Sequence, residues 1–520
     1  MKSPGAAAFL RILFVLCLLG LRLYPVTPPR SETLRIGIDS YPVSLNPVYA
    51  TNETSQAIVN KVFDGLFAFD REGNIREHLV EKFRILETHT PRNNKNIPAP
   101  GAAVEIILEL KKGYYFPGGK ELDAEDVAAT FRLMRDNRYT YPYRSTLRFI
   151  DTLEKIDRNR LKIKLLHPAA AWKMNLTFKI LNADELKAAR PETFRNMNLS
   201  GTGPYKILEA PGRGKILLER SYTNHTAASA RPGSEFRYLE YTVISDTLLS
   251  PLKLIGNEID VCELQPESVT TWHQAGAEAW RESFRILRYE KYGYTYLVFN
   301  ETNSLLTVDI KRIFYNLLVV GDFLERFLKG RGERVKSPFL PLSARVEVEP
   351  LPAKIPAKPI RLKIVCNSES KLRKGLVLFL RERVKAFNID LQPIFLEYHS
   401  FLDALKKGRY DVAISGYTMN NDYDISDILT GDGYFNYARF RNPDMDALLA
   451  AGIREMDPRK REGIYLEAHR LWREHLPVLP LFSLYYYTGV AKRVQIPEHP
   501  YQVVGAAGDF LFDILDWKRK

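Results

Sequence analysis

The chain has 520 residues, 45% hydrophobic, 26% charged and 12% aromatic, a composition that describes two or three folded domains and excludes wholesale disorder. Its formal net charge is +13, or +10 without residues 1–29, which hold Lys2, Arg11 and Arg22 and no acid. The remaining basic residues are interleaved with acids and form no basic arm, finger spacing or basic-aromatic module, so they read as a solvated surface suited to anionic membranes or partners rather than to nucleic acid.

In chain order, the first feature is the apolar run Ile12 to Leu21, preceded by Lys2 and Arg11 and closed by Arg22 and YPVTPP. A basic start, about ten apolar residues and a polar exit describe an export signal or membrane anchor over residues 1–30. The run is short for a membrane span, which needs roughly 20 apolar residues. No small-x-small cleavage site follows it, and Leu16 stands before Cys17 where a lipidation site would carry a small residue. Cleavage, lipidation at Cys17 and retention as an anchor all stay open. Only Cys262 and Cys366 remain beyond it, either paired in an oxidising compartment or buried as free thiols.

LRIGID (Leu34 to Asp39) predicts a strand, and SQAIVNKVFDGLFAF a helix with Ile58, Val62 and Leu66 on one face. LVEKFRILE and AVEIILELKKG predict paired strands around a polar tip at 88–101. A helix then starts at Asp123, with Glu125 and Asp126 in its first turn as capping carboxylates rather than catalytic ones. GTGPYKILEAPGRGKILLER, from Gly201, has glycines two apart but no helix behind them. A phosphate loop needs that helix N-terminus. Two β-prone runs around PGRG predict a hairpin instead.

Residues Arg361 to Tyr417 alternate strand and helix: RLKIVC, then SKLRKGLVLFLRERVKAFN with Leu372, Leu376, Leu380, Val384 and Phe387 on one stripe, then IDLQPIFLE, a short helix capped by Ser400, and DVAISGY. That β-α-β-α-β order predicts parallel strands. Ligands lie beyond the carboxyl ends of such strands, which puts Asn420, Asn421 and Asp422 beside a crevice. Val348 to Pro359 reads as a connector. Helices capped by Asn442–Pro443 and Asp457–Pro458 follow, and PVLPLFSLYYYTGV returns as a strand.

Catalytic signatures are missing. The nine histidines are scattered, and there is no HExxH pair, no GxSxG elbow and no GxGxxG after a strand. No catalytic residue, metal ligand or cofactor site is expected.

The segments LRIGIDSYPVSLNP, VFDGLFAFD, GYYFPGGKELDAEDVAATF, GTGPYKI, LIGNEIDV, YLVFN, YDVAISGY and EAHRLWREHLPVLPLF, in that order behind an export signal, resemble the family 5 extracellular solute-binding proteins of ABC importers, which take oligopeptides, dipeptides or nickel. The match runs from about Leu34 to the C-terminus. The resemblance implies an α/β, two-lobed fold like the type II (cluster C) periplasmic binding proteins, with an extra subdomain in the first lobe. It implies lobe I over 31–50, 199–288 and 478–520, the subdomain over 51–198 and lobe II over 289–477. Crossings are expected near Leu287 to Gly293 and Pro477 to Phe482.

It further implies a monomer, in the periplasm or tethered outside the cytoplasmic membrane, that closes on a solute and presents it to a membrane permease. Peptides would pair as an added strand near Tyr296 to Asn300 and Ser415 to Met419. Glu53, Tyr114, Tyr417, Thr418, Met419, Asn420, Asn421 and Asp422 are the expected ligand-binding residues. In the peptide binders an aspartate three residues after an aromatic holds the peptide amine; counting from Tyr417 gives Asn420. Either Asp422 takes over, keeping peptides as cargo, or the ligand is another solute such as a sugar or metal chelate. The competing readings are an exported hydrolase and a membrane-tethered interaction protein without transport.

Overall fold

A computed structural model describes residues 28–520 apart from 71–72, 87–103, 148, 210–214, 222–234, 267–268, 270–277, 291, 369, 419–421, 498–509 and 512. The N-terminal apolar run with Cys17, the tips at 88–101 and 211–214, and Met419, Asn420 and Asn421 lie outside the described residues.

The first lobe begins with β1 (Thr33–Ile38) and α1 (Glu53–Val62), whose Ile58, Val59 and Val62 enter the core. The expected helix through Phe69 stops at Val62, because the backbone turns extended at Phe63 and two glycines dock on the helix end. Gly203 N–H donates to Val62 O at 2.9 Å, and a Cβ on Gly201 would sit 2.0 Å from the same oxygen. The GTGPY glycines therefore close a helix C-terminus, and the strand β6 (Tyr205–Glu209) in the expected hairpin follows them.

Before that hairpin, β2 (Val80–Leu86), β3 (Val104–Leu110), β4 (Ile150–Lys155) and β5 (Arg160–Leu165) form a separate antiparallel sheet in the order β2-β3-β5-β4. Alternation in VEIILEL buries Val104, Ile106, Leu108 and Leu110. α2 (Ala124–Arg135) carries the expected cap: the Asp123 side chain accepts from the Glu125 and Asp126 amides, and Asp126 returns a bond to the Asp123 amide.

The main sheet has twelve strands and runs through both lobes. In the first lobe β7 (Lys215–Arg220) pairs with β6, β8 (Tyr238–Val243) runs parallel to β1, and β9 (Val261–Leu264) lies on the other side of β1, also parallel. β10 (Phe284–Glu290) ends that lobe and β11 (Gly293–Phe299) begins the second. There β12 (Gly332–Arg334), β13 (Ile360–Asn367), β14 (Ile389–Leu396) and β15 (Val412–Thr418) follow. β13 lies between β14 and β15, parallel to both, as the alternation predicts. The intervening helices are α3 (Lys371–Val384), burying Leu376, Val377, Leu380 and Val384, and α4 (Tyr398–Lys407). The cap of α4 is Glu397, not the expected Ser400: its carboxylate accepts from the His399 and Ser400 amides.

α5 (Pro443–Arg454) and α6 (Pro458–His475) start at the predicted Asn442 and Asp457 caps. The closing strand β16 (Val478–Ala491) pairs with β11 at its beginning and with β9 and β10 at its end. Its partners change between Phe482 and Tyr485. The second passage between lobes thus lies slightly beyond Pro477 to Phe482.

Each lobe has its own large core, and a small third core gathers around Leu254, Cys262 and Trp280. Cys262 and Cys366 belong to different cores and are both buried and unpaired, which removes the disulfide alternative. Burial pushes their thiols up, to about 12 and about 11.

The fully buried Asp260 ties the first lobe together. Arg35 Nη2 reaches its Oδ1 at 2.7 Å, Arg35 N–H donates to Oδ2 at 2.8 Å, and Arg493 Nε donates to Oδ1 at 2.7 Å. Burial opposes the charge, but the two guanidiniums outweigh it and hold the carboxyl below its ordinary value. Asp260→Asn leaves two cations without their acid and is expected to cost about 3–5 kcal/mol in urea unfolding. Because the folded carboxyl titrates below the unfolded one, this stabilisation is present above about pH 4 and lost as pH falls through the lower folded value. The gap between wild type and variant should therefore close in acid.

Candidate functional site

Parallel strands leave their carboxyl ends open to a ligand. In the first lobe the ends of β1 and β9, with the start of α1, line a cavity of about 280 Å³ containing Asp39, Ser40, Asn52, Glu53, Thr54, Glu263 and Gln265. Asn52 caps α1 by accepting from the Ser55 amide, so Glu53, the first helical residue, stands at the cavity by backbone geometry. Tyr289 of β10 places its hydroxyl 3.2 Å from Glu263 Oε2 and stacks on Tyr486 of β16 at 5.8 Å. That aromatic pair sits on the strands that join the lobes.

The second-lobe wall is β15. Tyr417 lies edge-on to Phe435 at 5.7 Å, and burial, with the charges of Asp427 and Asp424, raises its phenol. Thr418 ends the strand. The expectation that Tyr296 to Asn300 would accept a guest strand meets an obstacle: β11 is flanked by β15 on one side and β16 on the other. The other expected segment differs. β13 covers only Val412 to Ile414 of β15, so among the described residues no strand pairs with the outer edge from Ser415 to Thr418.

Asp422 is committed elsewhere. Its Oδ2 and Oδ1 accept from Arg461 Nη1 and Nη2 at 2.9 and 2.7 Å. Arg461 packs over Tyr423 and Tyr465. A two-pronged pair satisfies that carboxylate within its own lobe and speaks against Asp422 as the amine holder. Its neighbour Asp424 receives the Ser426 N–H and hydroxyl at 2.9 and 2.6 Å, and burial raises its carboxyl. Tyr114 packs against the first core, edge-on to His78. Burial and the charges of Asp64 and Glu81 push it up to about 12. It does not line the cavity with Glu53. Glu53 thus lines the first-lobe cavity, Tyr417 and Thr418 end β15, Tyr114 is not among the cavity's lining residues, and Asp422 is paired with Arg461.

The lobes also touch directly. Ala170 N–H in the first lobe donates to Ile453 O of α5 at 2.8 Å, Met456 packs on the first core, and the Tyr292 ring lies on Gly73. At the crossing, Gly293 has φ of +143°, and a Cβ there would meet Tyr417 O at 2.5 Å, so only glycine fits. Beside it Glu290 faces Glu333 of β12, Arg288 of β10 and Tyr485 of β16. Among the described residues no group of three or more His, Cys, Asp or Glu side chains is placed to hold a metal ion, and no helix is long and apolar enough to cross a membrane.

Two α/β lobes joined by two adjoining strands, with a cavity in the first and an open strand edge in the second, define the two-lobed architecture of the periplasmic binding proteins. Comparison with known proteins is more specific. Residues 104–320 match the family model described as "Bacterial extracellular solute-binding proteins, family 5 Middle". The oligopeptide-binding protein AppA of Bacillus subtilis is 22% identical over 88% of this chain and 87% of its own, and the heme-binding protein A of Haemophilus influenzae 21% identical over 87% of each. The solved ABC transporter substrate-binding protein CtaP of Listeria monocytogenes superposes with a TM-score of 0.77 at 20% identity, covering 94% of this chain and 99% of that one. The chain is thus similar over nearly its whole length to bacterial extracellular solute-binding proteins, and its residues 104–320 match the family 5 model.

Two outcomes follow from these charges. Asp422→Asn should lower stability by about 3 kcal/mol, because Arg461 loses a mostly buried partner, and Asp422→Leu with Arg461→Met should recover most of it; urea unfolding reads both. Burial and the charge of Glu333, against Arg288, raise Glu290 to about 7. Its folded value exceeds the unfolded one, so stability falls as pH rises from about 4.5 to about 7. Glu290→Gln should raise Tm at pH 8 and leave it unchanged at pH 4, as read by differential scanning calorimetry.

Proposed function

We propose that this protein is the exported substrate-binding component of an ABC importer, a monomer that captures a solute between its lobes and delivers it to a membrane permease. Oligopeptides are the favoured cargo. The observation that carries this reading is the outer edge of Ser415 to Thr418, with which no strand pairs among the described residues. An extended peptide satisfies such an edge irrespective of its side chains. The relatives support the class and allow more than one cargo, since AppA is named for oligopeptides and another relative for heme.

In this reading residues 31–50, 199–288 and 478–520 form lobe I, 51–198 its subdomain and 289–477 lobe II. Glu53, Tyr417 and Thr418, with 419–421, contact the cargo. The N-terminal segment exports the chain and leaves it in the periplasm or tethered to the outer face of the cytoplasmic membrane. The protein makes and breaks no covalent bond: its output is the closed form, stabilised only by contacts that the open form lacks.

Native mass spectrometry of freshly purified protein should show bound peptides, and X-ray scattering should show a smaller radius of gyration when a mixed tri- to pentapeptide library is added to stripped protein. A co-purified sugar or metal chelate would overturn the cargo and keep the class. An unchanging radius with every solute, or turnover of one, would overturn the class.

A further inference from the structure

The strands that join the lobes carry different chemistry on their two faces. Successive residues of a strand alternate sides, and in the register of β10 with β16 Ile286 lies opposite Gly489, Arg288 opposite Tyr487 and Tyr289 opposite Tyr486. Tyr289 and Tyr486 pack on the first-lobe core. Phe284, Ile286 and Tyr487 belong to the small third core, on the opposite face. That core covers the face only in part: Arg288 is exposed, and a cavity of about 370 Å³ opens beside it, within the range of small-molecule sites.

The lining of this cavity has two parts. Trp280, from the short helix Glu278–Ser283, lies against Phe284 with ring centroids 5.7 Å apart, and Tyr487 supplies a third ring. The charged side chains are Arg285, Arg288 and Lys492, and no acid is among the described lining residues. Arg285 is committed to the chain, since its Nη2 donates to Val494 O at 2.6 Å. Arg288 stands over the Tyr485 ring at 4.3 Å, and Glu290 attracts it from two residues along β10. Among the described residues neither Arg288 nor Lys492 forms a salt bridge. Other cations of the scaffold are matched: Arg35 and Arg493 by Asp260, and Arg461 by Asp422. The charges that reach the Tyr487 phenol are Arg288 and Arg331, both positive. A recess walled by one sign of charge concentrates anions, and the rings beside it offer apolar area to a flat body.

We propose that this cavity binds a small aromatic anion, its charged group held by Arg288 and Lys492 and its ring placed among Trp280, Phe284 and Tyr487. The head group is a carboxylate or a phosphate ester, either of which a guanidinium matches in two parallel bonds. The site shares no described lining residue with the first-lobe cavity that contains Glu53, so it makes no demand on the cargo. An occupant touches β10 and β16 together and so ties the two strands that pass between the lobes.

Isothermal titrations of wild type, Arg288→Gln and Ile286→Trp would use phenyl phosphate, phenylacetate, inorganic phosphate and benzyl alcohol. Wild type should bind an aromatic anion at one site, at least about 10-fold tighter than the bare anion or the neutral ring. Arg288→Gln, a change at an exposed side chain, should weaken that binding about 10- to 100-fold, and Ile286→Trp, which fills the cavity, should abolish it. Whichever of phenyl phosphate and phenylacetate binds tighter identifies the head group. No uptake of either aromatic anion by wild type at millimolar concentration, equal affinity for inorganic phosphate, or binding unchanged in Arg288→Gln would overturn the proposal. No peptide enters these titrations, so their failure leaves the transport reading standing, and failure of peptide binding leaves this site standing.

Discussion

The constraint on which the architecture depends is that one strand serves two lobes. β16 is hydrogen-bonded to β11 at Val478–Phe482 and to β9 and β10 at Tyr485–Ala491. Neither core can rotate against the other without straining that strand where its partners change. The second connection, from Glu290 to Gly293, runs alongside and carries the positive-φ glycine. Two adjoining strands leave bending about a line through them as the least hindered relative motion. The ends of β1 and β9 carry polar side chains around the cavity, and the end of β15 carries a strand edge without a partner among the described residues.

Charge distribution follows the same division. Carboxylates deep in the scaffold are matched: Asp260 lies between two arginines, and Asp422 is gripped by Arg461. Matched charges specify one arrangement of their partners, and removing one partner costs more than the pair contributes. At the crossing the balance is less complete: Glu290 faces Glu333, and Arg288 offsets that repulsion only in part.

Much of the scaffold was legible in the sequence because its signals are local. The β-α-β-α-β run, the Asp123, Asn442 and Asp457 caps and the hairpin after GTGPY depend on neighbours a few residues away. The errors were tertiary. Periodicity carried α1 past Val62, because nothing local reveals that Gly201 and Gly203, some 140 residues on, press against its last carbonyl. Ser400 looked like a cap, but the helix starts three residues earlier, where the Glu397 carboxylate accepts from the His399 and Ser400 amides. The candidate site was harder to read, since edge availability depends on strand order. Nothing in YLVFN announces that both its edges are occupied, and nothing in DYD announces Arg461, which lies 39 residues from Asp422.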